Sequence, residues 1–183
     1  MLVRPGSIDG VFTIASTSIE DERGFFRETW RRSALAEALG REPRFRQNNH
    51  SRSRAGVLRG FHMEAWDKLI YVAHGTALCV VADPRPDSPT FGRTQGVLLG
   101  DPPGERLRLF VARGLANAFY AHTQVDYLNE VSEEFDPRRR AGIAWDDGTL
   151  AVDWPDRDPI LSEADRALPT LRALHPEHER FRR

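Results

Sequence analysis

The stretch KLIYVAHGTALCVVADP, residues 68–84, is the most informative part of this chain about its fold class. It contains two apolar runs of strand length, Lys68 to Val72 and Ala77 to Ala82, which Gly75 separates. Further runs of this kind lie at Gly96 to Leu99, Leu107 to Val111 and Val125 to Val131. The turn residues between the runs include Pro84, Pro86, Pro89, Pro102-Pro103-Gly104 and Gly114. Short strands at near-regular spacing with Gly/Pro turns predict an all-β sandwich or barrel rather than βαβ units.

Helical periodicity is convincing only once before the strands, from Arg31 to Leu39, where Leu35 and Leu39 share a face and Gly40 supplies a stop. After Pro137 the composition changes to a run of arginines, two tryptophans and a segment rich in Pro and Asp. The charged stretch from Leu171 to Arg183 predicts a short solvent-facing helix or a frayed tail.

Bulk composition narrows the class of protein. A chain of 183 residues favours one domain, and a net charge of -1 argues against a general nucleic-acid binder. The single cysteine, Cys79, cannot form an intrachain disulfide, and the opening MLVRPGSIDG lacks the apolar segment of a signal peptide. No apolar run approaches the roughly 20 residues that span a bilayer. We therefore expect a cytoplasmic protein that binds neither membrane nor nucleic acid.

Four motifs carry the functional information. The segment GVLRGFH, residues 56–62, places His62 behind strand-type residues and close to Arg59. The segments DERGFFRE (21–28) and QNNHS (47–51) precede it, and LSEAD (161–165) lies near the end. In this order the motifs resemble the dTDP-4-dehydrorhamnose 3,5-epimerase family, whose cupin-type members invert carbons beside the ketone of a nucleotide-linked sugar. The resemblance runs from about Gly10 to Pro169.

The resemblance implies a fold, a substrate and an assembly. The fold would be an all-β, jelly-roll (cupin-like) β-sandwich with short flanking helices, formed by residues 1–183 as a single domain with a C-terminal extension from about 138. The substrate would be a dTDP-linked 4-keto-6-deoxy sugar of a dTDP-rhamnose-like deoxysugar pathway. The protein would be a homodimer and would need no cofactor.

Epimerisation beside a ketone requires a base and a group that stabilises the enolate oxygen. His62 suits the first role because an imidazole with an ordinary pKa of about 6.5 accepts a proton near neutral pH, and its family counterpart is the base. Asp165 matches the aspartate that orients this histidine, although it could instead cap a short helix begun at Ser162. Lys68 matches the lysine that faces the enolate, and the alternative is a solvated lysine at a strand end.

Nucleotide binding requires cations for the pyrophosphate and a flat pocket for the base. Arginine suits phosphate because its planar guanidinium donates two hydrogen bonds at once. The residues that the resemblance assigns to the phosphates are Arg23 and Arg59, those for the base and its neighbours are Glu28, Gln47 and Asn49, and apolar contacts would come from Phe26 and Phe135. In relatives the Arg23 segment crosses to the partner subunit. An ordinary solvated polar face is the alternative for these side chains. Residues 88–92, SPTFG, match the family as a structural turn.

Besides a segment between Phe119 and Asn129 that is about one residue shorter than usual, the chain departs from the family pattern at three places. The family has a tyrosine eight residues before the proline that is Pro137 here and uses it as the acid, but this chain has Asn129. Asparagine does not donate a proton to carbon. Tyr127 lies two residues earlier and would point to the same side of a strand. Asn117 stands where many relatives have histidine, and the segment from His62 to Lys68 is several residues shorter. These departures leave two interpretations open, a 3,5-epimerase that inverts both carbons and a mono-epimerase that inverts only C3 or C5.

Two alternatives from other classes stay open at this point. One is a catalytically impaired protein that binds a nucleotide sugar, and the other is a cupin ketoisomerase that moves the ketone. His50, His74 and His122 do not have the His-x-His spacing of metal-binding cupins, so we expect no metal. His62, Lys68 and Asp165 together favour the epimerase, because a pure binding site has no need for a base, its orienting carboxylate and an enolate partner.

Overall fold

A computed structural model describes residues 1–101 and 106–182 of the chain. The strands in this part are β1 (Leu2–Pro5), β2 (Val11–Ala15), β3 (Ser18–Asp21), β4 (Gly24–Arg27), β5 (Gln47–Ser53), β6 (Leu58–Met63), β7 (Lys68–His74), β8 (Thr76–Ala82), β9 (Thr94–Gly100), β10 (Leu107–Val111), β11 (Ala116–Ala121), β12 (Val125–Val131) and β13 (Ala141–Gly142). The α-helices are α1 (Arg32–Leu39), α2 (Glu163–Arg166) and α3 (Leu171–Leu174), and short 3₁₀ turns lie at Pro137–Arg139 and Glu179–Phe181.

Two antiparallel sheets form the sandwich. The larger has the strand order β1-β2-β10-β7-β12-β5, and the smaller has the order β13-β6-β11-β8-β9. Strands that are neighbours in sequence therefore often belong to different sheets, which is the wrapping of a jelly roll. The hairpin β3-β4 pairs only with itself among the described residues. The predicted all-β jelly roll with short flanking helices is confirmed.

The five apolar runs that the sequence predicts as strands all form strands, namely β7, β8, β9, β10 and β12, and the predicted helix is α1. The predicted turn at Pro102-Pro103-Gly104 lies outside the described residues. Strands β1 to β4 precede α1 and were not predicted, because they are short, and β1, β3 and β4 are mostly exposed. Strand β11, ANAFYA, was also missed, since four of its six residues are alanine or asparagine, which have low strand propensity.

The core between the sheets follows from side-chain alternation. On β7, Ile70 and Val72 point into this core, whereas Leu69 points to the outer face of the larger sheet. On β11, Phe119 faces the inner core, whereas Ala118 and Tyr120 face outward. Strands that are apolar on both faces need cover on both sides. The sandwich therefore has two further apolar layers outside its sheets.

Helix α1 covers the larger sheet, where Leu35 packs against Leu69 and Phe110. The chain after β13 covers the smaller sheet, with Ile143, Trp154 and Leu171 packed on residues such as Phe61. The segment from Leu171 onward begins with a short helix, α3, but the prediction that this helix faces solvent or that the tail is frayed is wrong. Leu171 is fully buried, Phe181 packs partly against the same cluster, and Arg180 Nη1 donates to the Phe91 carbonyl at 2.9 Å.

The turn at residues 88–92 has a structural role. The hydroxyls of Ser88 and Thr90 each donate to the buried carboxylate of Asp83 at 2.6 Å. Burial raises the pKa of Asp83, but these bonds and those from Arg85 outweigh it and hold the pKa at about 2. No helix of the described residues is long and apolar enough to cross a membrane.

Candidate active site

A β-bulge in β6 brings Arg59 and His62 to the same side of the sheet. Residues three apart on a regular strand face opposite sides, but here Arg59 pairs with Phe119 while His62 pairs with Asn117, so β6 contains one extra residue. Gly60 permits this path. Its φ is +115°, and a Cβ there would lie 2.6 Å from the Asn117 carbonyl oxygen. Phe61 meanwhile packs into the outer core.

His62 and Asp165 form a direct pair across 103 residues of sequence. Nε2 of His62 lies 2.8 Å from Oδ1 of Asp165, and the Asp165 side chain is 5% exposed. Ser162 caps α2 by accepting a hydrogen bond from the Asp165 amide at 3.1 Å. The helix cap is thus Ser162, and the Asp165 carboxylate is directed at the histidine. Arg140 Nη2 also reaches Asp165, at 3.5 Å.

The carboxylate of Asp165 stays ionised despite its burial. Burial raises its pKa, but the hydrogen bond from His62, the charge of that ring, Ser162 and Arg140 outweigh this effect, so the pKa lies below its ordinary value. An ionised carboxylate next to Nε2 accepts a hydrogen bond from it, which fixes the imidazole tautomer that carries its proton on Nε2. Nδ1 is then the ring nitrogen that can accept a proton.

Lys68 is buried at the start of β7. The alternative, a solvated lysine at a strand end, is therefore wrong. Its Nζ forms an ion pair with Glu64 and donates to Oδ1 of Asn117 at 2.5 Å. Burial lowers the pKa of Lys68, and the neighbouring Glu64 carboxylate acts in the opposite direction. The short segment between His62 and Lys68 therefore does not prevent the lysine from reaching the same cavity.

Strand β12 supplies Tyr127 and Asn129 to one face, as the strand alternation predicted. The Tyr127 hydroxyl accepts from Nδ2 of Asn117 at 3.3 Å, and its ring stacks on Phe119 with centroids 4.3 Å apart. Burial raises the pKa of Tyr127 well above its ordinary value. Oδ1 of Asn129 accepts from Nδ2 of Asn49 at 2.9 Å, across the β5-β12 pair.

These side chains enclose a cavity of about 200 Å³ between the two sheets. Its lining residues are Asn49, His50, Ser51, Arg59, His62, Glu64, Lys68, Asn117, Phe119, Tyr127 and Asn129. Polar and apolar groups share the walls, which is typical of a site that orients a small polar ligand. Within the described residues, no group of three or more His, Cys, Asp or Glu side chains could hold a metal ion.

The structure brings only part of the predicted nucleotide site to this cavity. Arg59 and Asn49 line it, and Nε of Arg59 donates to the Ser53 hydroxyl at 3.0 Å. Gln47 lies beside it, since its Nε2 donates to Oδ1 of Asn49 at 2.6 Å and its Oε1 accepts from the Phe135 amide at 2.9 Å. Phe135 is exposed and packs against Trp66.

The other three residues predicted to bind the nucleotide lie away from the cavity in a single chain. Arg23 pairs with Asp21 at the tip of the exposed β3-β4 hairpin. Phe26 on the same hairpin is 71% exposed. Glu28 forms an exposed ion pair with Arg31 at 2.8 Å.

Glu64 and Arg140 are the charged residues of the site that were not identified from the sequence. Glu64 could have been noticed as a carboxylate four residues before Lys68, which is the only lysine among 26 basic residues. Arg140 stood in a run of three arginines that had no assigned role. His50 also lines the cavity and lies 3.0 Å from Asp126.

A β-sandwich whose cavity combines a histidine-carboxylate pair with a buried lysine defines a cupin-type enzyme that moves protons beside a carbonyl group. The sequence model of the family described as dTDP-4-dehydrorhamnose 3,5-epimerase matches residues 5–173. The chain belongs to this family of epimerases. The dTDP-4-dehydrorhamnose 3,5-epimerase of Escherichia coli strain K12 is 36% identical over 173 residues, which cover 91% of this chain and 92% of that protein.

Solved structures with different specificities share the fold. NovW, described as a 4-keto-6-deoxy sugar epimerase from the novobiocin biosynthetic gene cluster of Streptomyces spheroides, superposes with a TM-score of 0.91 at 32% identity, over 97% of this chain and 90% of that chain. ChmJ, a 3'-monoepimerase from Streptomyces bikiniensis solved in complex with dTDP-quinovose, gives a TM-score of 0.87 at 30% identity, over 94% and 88% of the two chains.

Proposed function

We propose that this epimerase removes a proton beside the ketone of a dTDP-4-keto-6-deoxyhexose and returns a proton with inversion at only one carbon, C3 or C5. The observation that carries the proposal is the pair between His62 Nε2 and Asp165 Oδ1, 2.8 Å apart, in the cavity that also holds Lys68. Its relatives also support the proposal. The family includes 3,5-epimerases, which invert two carbons, and ChmJ is described as a 3'-monoepimerase.

His62 acts as the base in this proposal. The ionised Asp165 accepts the Nε2 proton, so the lone pair on Nδ1 takes the proton from the substrate carbon. As the imidazole becomes positively charged, the nearby carboxylate stabilises it. This division of roles requires that both side chains stay fixed, and the bulge in β6 and the capped helix α2 hold them in place.

Lys68 stabilises the enolate. When the proton leaves, negative charge develops on the ketone oxygen, and an ammonium group in a site with little water lowers the energy of that charge. Lys68 is held by Glu64 and Asn117 before substrate arrives. Its position is therefore preorganised, and little reorganisation accompanies the reaction.

The site lacks a strong proton donor on the face of the substrate opposite His62. Asn129 occupies the place of the family tyrosine and is engaged with Asn49. Tyr127 is the one phenol lining the cavity in the described part of the chain, and burial makes its proton harder to release. Slow delivery from Tyr127 or water allows His62 to return the proton to the face from which it came. We therefore propose that the carbon-bound proton exchanges with solvent faster than the configuration of that carbon is inverted.

Nucleotide binding would use Arg59 for the pyrophosphate and a second chain for the rest. Arg23 and Phe26 lie on the β3-β4 hairpin, which exposes its large apolar residues Ile19, Phe25 and Phe26. A homodimer in which this hairpin reaches the partner's cavity would cover these side chains and complete the nucleotide site. A cytoplasmic location agrees with the single, buried thiol of Cys79.

The test is His62→Ala with dTDP-4-keto-6-deoxyglucose in D2O, followed by NMR. Deuterium uptake beside the ketone should fall by about 10²- to 10⁴-fold or more, as expected when a general base is lost, while dTDP affinity stays within about a few-fold. The exposed His74→Ala is the matched control and should exchange like the parent. Near-normal exchange in His62→Ala would remove His62 from the mechanism. A parent that binds dTDP without any exchange would instead favour the impaired binding protein.

A further inference from the structure

Glu64 is a carboxylate in the cavity that the proposed mechanism uses only as a contact that holds Lys68. We infer that Glu64 is a positioning residue, which keeps the buried Lys68 in its ammonium form and aims it at the substrate oxygen. The inference rests on the proposed function of Lys68 and extends it to a second residue. Glu64 lies in the four-residue connection between β6 and β7, so it joins the strand that carries His62 to the strand that begins with Lys68.

The connection that carries Glu64 is anchored at several points. The Glu64 carbonyl oxygen accepts from the Gly114 amide at 3.0 Å. Trp66 is buried, and the buried Asp67 accepts from the Arg113 amide at 3.0 Å and from Arg41 Nη2 at 2.6 Å. A segment fixed in this way restricts where the Glu64 carboxylate can lie. The ion pair with Lys68 is therefore a built feature of the site rather than a chance contact of two mobile side chains.

The hydrogen-bond capacity of Lys68 leaves room for the substrate. An ammonium group has three N–H donors. One is directed at the Glu64 carboxylate and one at Oδ1 of Asn117. No further partner of Nζ lies among the described residues, so the third donor can meet an oxygen in the cavity that Lys68 lines. Glu64 and Asn117 thus set the direction in which this last donor points.

The charge balance of the cavity makes Glu64 necessary. The titratable groups that line the cavity from the surrounding elements are His50 from β5, Arg59 and His62 from β6, Tyr127 from β12, and Glu64. Arg59 is positive, and both histidines become positive when protonated, so none of these groups favours a second cation. Glu64 is the one carboxylate among the described lining residues. Asp165 lies behind His62 and is already shared with Arg140.

Removing the Glu64 carboxylate should lower the pKa of Lys68. Burial lowers the pKa of Lys68, and Glu64 raises it. Without Glu64 only the lowering effect of burial remains, so the lysine loses its proton at a lower pH. A neutral amine can no longer supply the positive charge that the enolate needs. The site would then keep its base while losing its enolate partner as the pH rises.

The composition of the chain allows a direct test of this protonation. Lys68 is the only lysine in the 183 residues, so the protein grown with ¹³C-labelled lysine gives a single lysine side-chain signal by NMR. Its titration should have a midpoint at lower pH in Glu64→Gln than in the parent. Glu64→Asp, which keeps the charge on a shorter side chain, should lie between them. Glu37→Gln removes the same charge from the exposed face of α1 and should leave the midpoint unchanged.

Deuterium exchange on the same four proteins tests the consequence for the reaction. The ratio of the exchange rate at pH 6 to that at pH 9 should be higher in Glu64→Gln than in the parent, by up to about tenfold for each pH unit by which the Lys68 midpoint falls. Glu37→Gln should keep the parent ratio. A loss of rate that is equal at both pH values would indicate a merely structural role.

The two proposals fail in different ways. An unchanged Lys68 midpoint in folded Glu64→Gln would overturn the inference about Glu64, whatever the parent's activity. A parent without deuterium exchange would overturn the proposed function, and the NMR titration, which needs no substrate, would still decide whether Glu64 controls the charge of Lys68. If Glu64→Gln unfolds, the same two measurements on Glu64→Ala, which also removes the charge, decide the question, and a midpoint equal to that of the parent would overturn the inference.

Discussion

Asp165→Asn removes one charge from the His62 pair while keeping the size of the side chain. The amide of asparagine can present either an oxygen or an NH₂ group to Nε2 of His62. If it presents NH₂, the ring adopts the other tautomer, with its proton on Nδ1, and the basic nitrogen no longer faces the substrate. If it presents oxygen, the tautomer is kept but the charge that stabilises the imidazolium is lost. Either arrangement weakens the base.

The size of the effect follows from the geometry of the pair. The bond spans 2.8 Å and the Asp165 side chain is 5% exposed, so solvent screens it little. A hydrogen bond to a charged group contributes about 1.5 to 3 kcal/mol. Since about 1.4 kcal/mol corresponds to a factor of ten, we expect deuterium exchange to slow by about 10- to 100-fold. This is a smaller loss than in His62→Ala, where the base itself is absent.

The assay is the rate of deuterium uptake beside the ketone, with Asp87→Asn, an exposed position on the surface, as the matched control. A rate for Asp165→Asn equal to that of the control would refute the orienting role.

The free energy of unfolding gives a second readout. The pKa of Asp165 is held below its ordinary value, so its ionised form stabilises the native state at neutral pH, and this contribution is lost as the pH falls through the native pKa. The difference in unfolding free energy between parent and variant should therefore narrow below about pH 4.

Three further variants test other parts of the structure. Arg59→Ala should weaken dTDP binding by about 2 to 3 kcal/mol, because a charge-assisted bond to phosphate is lost, and equal affinities by calorimetry would place the pyrophosphate elsewhere. Ala151→Gly should raise the unfolding free energy by about 0.5 to 1 kcal/mol, since Ala151 has φ 47°, and a lower denaturation midpoint would contradict this. Leu171→Ala should destabilise the fold by about 2 to 5 kcal/mol, with the exposed Arg172→Ala near neutral; a similar, small effect of both would restore the frayed tail.

The sequence predicted those elements in which local chemistry and tertiary packing agree. Strands β7 and β8 are apolar runs bounded by turn residues, and α1 has a helical repeat that ends at Gly40. Strand β11 could not be found in this way, because its alanines are suited to the space between two apolar layers and carry no local strand preference. The C-terminal segment was misjudged for a related reason. Leu171 begins a stretch rich in charged residues, and only the sheet that it covers shows that it is buried.

The candidate site was found through motifs, while its geometry depends on contacts between distant segments. His62, Lys68 and Asp165 were named from the family resemblance, and the structure joins the first and last of them over 103 positions. Glu64 was overlooked because a glutamate in a short connection usually faces solvent, and its role appears only when β7 places the lysine in the cavity. The bulge at Gly60 was also hidden, since it follows from the register against β11.

Inversion of a single carbon is tested most sharply by comparing deuterium exchange with inversion in the unmutated protein and in Asn129→Tyr. Label incorporation at C3 and C5 reports proton abstraction, and the coupling constants of the product report configuration. We expect exchange that exceeds inversion in the parent, with inversion confined to one carbon, and a higher ratio of inversion to exchange in Asn129→Tyr, because a phenol with an ordinary pKa near 10 can donate to carbon. Efficient inversion at both carbons by the parent, unchanged in Tyr127→Phe, would contradict this mechanism.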